Sequence, residues 1–303
     1  MQEQQRRPAE ASGMFSLGGD LNVYRLGFGA MRITGSGIWG PPVNHDEAIA
    51  VLRRAPELGI NLIDTADAYG PEVSENLIAE ALYPYADGLV IATKGGLTRS
   101  GPNQWSPDGR PEHLREALEG SLKRLRLDRI DVYQFHRPDP KTPFEESVGT
   151  LAQLQKEGKI RHVGLSNVTI DQLERARKIT PIVTVQNHYN LANRASQGMD
   201  EAESERMIDF CAQQGIGFIP WAPLTAGKLA QPGGALDAIA KRHHAAPSQV
   251  ALAWLLQRST SMLPIPGTAS VAHLEENTQA ATLRLSPEDF AEIDQRSRQQ
   301  ANT

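Results

Sequence analysis

Cysteine occurs once, at Cys211, which rules out a disulfide within the chain. None of the eight histidines stands at a metal-ligand spacing from it, so no metal centre is expected. Aromatic residues are sparse at 6%, and no apolar run approaches the ~20 residues needed to cross a bilayer. Excess positive charge is also missing. The net charge of −5 removes the basic field that nucleic acid or an anionic membrane surface would require. The arginines of Met1-Gln-Glu-Gln-Gln-Arg-Arg-Pro have no apolar stretch behind them, so the segment does not read as a signal peptide. These absences describe a soluble, cytoplasmic, globular protein with no nucleic-acid or membrane partner, expected as a monomer.

What the chain does have is alternation. Short Val/Ile/Leu-rich segments at 24–29, 60–64, 89–94, 130–136, 162–166, 183–186, 217–221 and 262–265 read as parallel strands buried on both faces. Between them lie amphipathic helices at 45–58, 74–82, 111–125, 144–157, 170–179, 201–214 and 247–258. Asn44 and Gly59 suit the two ends of the first helix, and Pro111-Glu112 opens the third. Eight strands alternating with helices in 303 residues predict an α/β fold, a (β/α)8 TIM barrel, rather than an open sheet. The open sheet would want a GxGxxG after its first strand, and Gly27-Phe-Gly-Ala-Met-Arg32 lacks the third glycine. The Gly-Gly-Asp turn in 14–24 predicts an N-terminal hairpin capping the bottom of the barrel. Residues 1–13 are expected to be a disordered tail, 14–298 a single domain and 299–303 a frayed end.

In such a barrel the C-terminal strand ends face one site. They carry Met31, Asp64, Lys94, His136, Ser166-Asn167, Gln186, Trp221 and 266–268, mostly polar where the strand before them is apolar. Tyr69 follows Asp64 by five residues. A lysine beside a tyrosine lowers the phenol's pKa and stabilises its ionised form, which makes the phenol a proton donor suited to carbonyl reduction. Each residue also has a plainer reading as a cap, a turn residue, a solvated charge or a satisfied histidine. Convergence of four strand ends favours the chemical reading.

Seven motifs in register resemble the aldo-keto reductase family over roughly residues 20–285. They are Asn61-Leu-Ile-Asp-Thr-Ala-Asp-Ala-Tyr-Gly70, Ile91-Ala-Thr-Lys94, Asp131-Val-Tyr-Gln-Phe-His136, Lys159-Ile-Arg-His-Val-Gly-Leu-Ser-Asn167, Val185-Gln-Asn-His-Tyr-Asn190, Ile219-Pro-Trp-Ala-Pro-Leu224 and Ile265-Pro-Gly-Thr268. The wording looks most similar to bacterial members that include pyridoxal reductases. The resemblance implies a catalytic tetrad of Asp64, Tyr69, Lys94 and His136. Tyr69 would be the general acid, Lys94 would tune it, Asp64 would hold the lysine and His136 would orient the carbonyl.

The resemblance also implies a nicotinamide cofactor, NADPH, with NADH as the alternative. Gly29, Ala30 and Met31 would border it beside Asp64. Ser166, Asn167 and Gln186 would meet the carboxamide, and Trp221 would stack on the ring, with Ala222, Pro223 and Leu224 following. Ala226, Gly227 and Lys228 would reach the pyrophosphate. Pro266, Gly267, Thr268, Ser270 and His273 would form the phosphate end, with amides at the helix start contributing. Glu276 and Asn277 would contact the adenine. This chain departs from many relatives in having Gly267 and His273 where cations clasp the 2′-phosphate. The expected substrate is a small aldehyde or ketone, such as pyridoxal or another aromatic aldehyde, in a pocket walled by Met31, Trp39 and Trp105. Two other readings stand beside this one: a nicotinamide-binding regulatory subunit with little turnover, and a different (β/α)8 enzyme such as a sugar-phosphate isomerase.

Overall fold

A computed structural model describes residues 7–196, 198–224 and 236–301. Two short strands come first, β1 (Met14–Leu17) and β2 (Leu21–Tyr24), paired antiparallel. Then follow β3 (Phe28–Gly29), α1 (His45–Glu57), β4 (Leu62–Asp64), α2 (Val73–Leu82) and β5 (Val90–Gly95). A second hairpin, β6 (Leu97–Gly101) and β7 (Gln104–Pro107), precedes α3 (Pro111–Leu125) and β8 (Ile130–Phe135). The chain continues through α4 (Phe144–Lys156), β9 (Ile160–Ser166), α5 (Ile170–Arg177), β10 (Ile182–His188), α6 (Glu201–Gln214) and β11 (Gly217–Trp221). It ends in α7 (Asp237–Arg242), α8 (Pro247–Arg258), α9 (Val271–Gln279) and α10 (Pro287–Ala301). Among the described residues no helix is long and apolar enough to cross a membrane.

Seven strands form one parallel sheet in the order β11-β10-β9-β8-β5-β4-β3. Alternation within each strand builds two layers. Leu62, Val90, Ala92, Val132, Val183 and Ile219 pack as one apolar cluster, joined from outside the sheet by Leu263 and Ile265. Two residues further along the same strand faces come Asp64, Lys94 and Gln134, which hydrogen-bond to one another. The period of two along a strand therefore sets a polar layer on an apolar floor. The first hairpin adds Leu17, Leu21 and Val23 to that floor. It lies against the strand starts: Asn61 accepts from the Tyr24 N–H at 2.8 Å and donates to the Asn22 carbonyl at 2.9 Å.

The segment 262–265, expected as a strand, makes only an isolated bridge between Met262 and Phe218. Pro264 and Pro266 lack the N–H that a regular ladder needs. The segment still reaches both edges of the sheet: Leu263 N–H donates to Phe218 O at 2.8 Å and Gly27 N–H to Pro264 O at 3.0 Å. The strand expected at 24–29 is divided between β2 and β3. Between them the Arg25 guanidinium donates to the carbonyls of Ser12, Leu256 and Ser259. The loop expected at 95–111 contains the β6–β7 hairpin, and α7 was not foreseen.

The expectation of a disordered tail over 1–13 is corrected for its second half. Pro8–Ser12 is a 3-10 turn whose Ala9 is buried and donates its N–H to Leu58 O at 3.0 Å. The Ser12 hydroxyl accepts the Leu26 N–H at 3.1 Å. Partners 14 to 49 residues away order this polar stretch, and local composition does not register them. At the other end α10 continues to Ala301, past the break expected after 298. Residues 1–6, 302 and 303 lie outside the described residues.

Candidate active site

Lys94 ends the inward row of β5 and is fully buried, a position a lysine occupies only when its charge is met. Its Nζ donates to Asp64 Oδ1 at 2.6 Å, to Thr65 O at 2.8 Å and to the Tyr69 hydroxyl at 3.3 Å. All three ammonium hydrogens thus have acceptors. The second oxygen of Asp64 accepts from Gln186 at 2.7 Å and Gln134 at 3.0 Å, so the carboxylate is fixed from three strands. Tyr69 and His136 meet edge to face with ring centroids 5.8 Å apart, and Trp105 approaches Tyr69 at 6.3 Å.

Burial disfavours the Lys94 ammonium, but Asp64 and Tyr69 outweigh it, and its pKa stands above the ordinary value. The expectation for Tyr69 needs correcting in its net direction. Burial pushes the phenol's pKa up; Lys94 pulls it down as expected, but Asp64 adds to the rise and burial prevails. The hydroxyl is therefore held protonated, ready to donate. Burial, then the charges of Lys94, Arg137 and Arg99, hold His136 well below its usual pKa, as a neutral imidazole. Its Nδ1 is buried without a hydrogen-bond partner.

These groups open onto a cavity of about 410 Å³. Of the residues expected from the sequence, Gly29, Met31, Asp64, Tyr69, Trp105, His136, Ser166, Asn167, Gln186, Trp221, Ala222, Pro223, Leu224, Pro266 and Gly267 line it. Lys94 stands behind Asp64 and Tyr69, and Ala30 is buried beneath the first loop. Trp39, expected as a wall, does not line the cavity; Ile38 does. The Arg99 guanidinium lies 3.6 Å from the Trp105 ring centroid and 5.6 Å from that of Trp39, so Trp39 backs the wall at one remove. Asn167 adopts φ +58°, which asparagine tolerates. Its side chain donates to His136 O and Ser166 Oγ and accepts from Trp221 Nε1 at 3.1 Å, locking the indole.

The phosphate end is less gathered. Thr268, Ser270, His273, Glu276 and Asn277 do not line this cavity. The Thr268 hydroxyl accepts the Ser270 N–H, Glu276 accepts from Ser248, and Asn277 is buried. The Val271 N–H, at the start of α9, is taken by Glu47 Oε1 at 2.8 Å, so that amide is not open to a phosphate. Ala226, Gly227 and Lys228 lie outside the described residues.

Gly267 is glycine for a steric reason. A Cβ there would stand 2.5 Å from Gly29 O, and one on Gly29 would stand 2.7 Å from Ile265 O. The two glycines therefore let the 265–267 backbone pack directly against that of Gly29 at the wall of the cavity, where a side chain would force them apart. The cavity also holds two cations that the sequence reading passed over, Arg32 and Arg137. Each directly follows a residue that was singled out, Met31 and His136 respectively, and adjacency was the available signal. The Cγ of Arg32 lies 3.5 Å from the Cβ position of Gly267, beside the place where a cation was missed. Asp67, within the first motif, is half-buried, and its Oδ1 is shut off from solvent without a hydrogen-bond partner among the described residues. Together these features suit a nicotinamide dinucleotide.

Comparison with known proteins agrees with this geometry. The model of the aldo/keto reductase family matches residues 25–298. An uncharacterized oxidoreductase of Schizosaccharomyces pombe is 54% identical over 277 residues, covering 91% of this chain and 88% of its own. Pyridoxine 4-dehydrogenase of Escherichia coli is 46% identical over 296 residues, 95% of this chain and 100% of its own. A thermostable aldo-keto reductase solved with the inhibitor epalrestat superposes with TM-score 0.79 at 30% identity, covering 93% of this chain and 99% of that one. An aldo-keto reductase of Klebsiella pneumoniae in complex with NADPH gives TM-score 0.74 at 25% identity, covering 93% and 94%. Fold and site therefore define an NAD(P)H-dependent oxidoreductase on a TIM-barrel-like scaffold. The chain belongs to the aldo/keto reductase family.

Proposed function

We propose that the protein reduces an aldehyde or ketone to the alcohol with NADPH, and that Tyr69 gives the proton to the carbonyl oxygen. The observation that carries this is Lys94 Nζ hydrogen-bonded at once to Asp64 and to the Tyr69 hydroxyl, at a cavity that His136 also lines. The nicotinamide, when bound, supplies the hydride, which no side chain can. His136, neutral, donates a ring N–H to the carbonyl oxygen and aligns it with the Tyr69 hydroxyl. Lys94 stabilises the phenolate left when the proton departs, a fixed charge in a water-poor site. Gln134 and Gln186 keep Asp64, and through it the lysine, from moving.

Ser166, Asn167 and Gln186 serve the carboxamide, Trp221 the ring face, and Arg32 a phosphate. In this reading 14–298 works as one barrel domain. Segment 262–265 is the eighth stave and the first hairpin closes the bottom, which the bonds from Leu263 and Gly27 support. Leu97, Trp105, Ile38 and Met31 suit a flat ring, and the name of the 46%-identical relative supports pyridoxal as the substrate to try first. The test is a panel including pyridoxal and 4-nitrobenzaldehyde, each with NADPH and NADH. Turnover with a higher kcat/KM for NADPH is expected. Cofactor binding without turnover of any aldehyde would replace the reading with that of a regulatory subunit.

A further inference from the structure

The charges lining the cavity do not cancel. Asp64 is the only carboxylate lining it among the described residues, and Lys94 already neutralises it. Arg99 reaches the same region behind Trp105, but its donors are spent on five backbone carbonyls, those of Gly37, Ile38, Ala68, Gly101 and Gln104. Arg137 is different. It lines the cavity, has no hydrogen bond or ion pair with any described residue, and its Nε is buried without a partner.

A guanidinium N–H taken from water without an acceptor is a standing cost, and an oxyanion removes it by accepting two parallel bonds from the planar fork. The place of Arg137 in the fold says which molecule brings that oxyanion. It follows β8, the middle strand of seven, with three strands on either side. Of the segments read as holding the cofactor, 221–224 and 266–267 lie at the edges of the sheet with Arg32, and Ser166, Asn167 and Gln186, nearer to β8, are read as meeting the carboxamide, not a phosphate. Arg137 instead adjoins His136, where the carbonyl is held.

We propose that Arg137 anchors an anionic oxygen on the substrate, so that the preferred substrates are flat-ring aldehydes carrying a carboxylate or phenolate. The inference rests on the reductase reading above and narrows its substrate class. Trp105 and Leu97 receive the ring, His136 and Tyr69 the carbonyl, and Arg137 the ring's charged substituent.

The test compares 4-nitrobenzaldehyde with 3- and 4-carboxybenzaldehyde in the wild type, Arg137→Met and Arg137→Lys. The wild type is expected to favour a carboxylated aldehyde. Arg137→Met should raise the KM of that aldehyde at least ~10-fold more than that of the neutral one, the ratio for one lost charged contact, and Arg137→Lys should restore part of it. Equal losses on both aldehydes, or none, would overturn the proposal. Benzoate binding, followed by tryptophan fluorescence, reads the same contact without turnover. Weakening by about 10-fold in Arg137→Met supports the anchor, and unchanged binding overturns it. Failure of the wild type to reduce any of the three aldehydes would remove the reductase reading, while the benzoate result still decides for or against the arginine.

Discussion

A Cβ on Gly267 would stand 2.5 Å from the carbonyl oxygen of Gly29. A side chain at 267 has to push two backbones apart, so placing a lysine there to supply a missing cation does not simply add one. Gly267→Ala is expected to cost about 1–3 kcal/mol of stability, the usual scale for overpacking. A lower midpoint in urea or thermal unfolding would show it, and an unchanged midpoint would mean the segment yields freely.

Tyr69 is protonated at rest and lies 3.3 Å from the Lys94 ammonium. Tyr69→Phe keeps the ring and its contacts with His136 and Trp105 while removing the proton. The expected result is a kcat lower by ~10²–10⁴-fold, the range for a general acid, with cofactor affinity within about a factor of three of the wild type. Wild-type turnover in this variant would take the proton donor away from Tyr69.

Burial, followed by the charge of Glu75, holds the Asp67 carboxyl well above its usual value of 3.8. The folded chain therefore keeps a proton that the unfolded chain loses near that pH. Stability falls as pH rises from about 4 toward the folded value, because the native state binds more protons. Asp67→Asn abolishes this titration. Its stability relative to the wild type should be more favourable at pH 8 than at pH 5 in denaturant unfolding. The same difference at both pH values would show that Asp67 titrates normally.

Glu47 places a carboxylate on the first amide of α9, beside the expected 2′-phosphate end. Glu47→Gln preserves an acceptor for the Val271 N–H and removes the charge. KM for NADPH is expected to fall ~2–5-fold, the worth of one screened charge at a helix start, with little change for NADH. Equal changes for both cofactors would place the 2′-phosphate elsewhere.

Helices such as α1 and α3 were legible because their signals are local. The Asn44 side chain accepts the Glu47 N–H at 3.0 Å, and α3 begins at Pro111, where the first-turn preference for proline puts it. The 262–265 segment was harder, since an apolar run looks the same whether or not its prolines leave it a ladder. Residues 8–12 looked frayed because Ala9 and Ser12 find their partners at Leu58 and Leu26.

The sequence by itself determined the α/β alternation, and with it the strand ends at which Asp64, Lys94, His136, Ser166 and Gln186 stand. Strand period and helix capping are properties of neighbouring residues, and a one-dimensional reading sees them. Only the tertiary structure decided the balance of opposing effects at those ends. Burial outweighs Lys94 at the Tyr69 hydroxyl, the Gly29 backbone excludes a side chain at 267, Glu47 occupies an amide expected for phosphate, and Arg137 is left without a counter-charge among the described residues. Desolvation, close approach and pairing depend on residues far apart in the chain, and only folding brings them together.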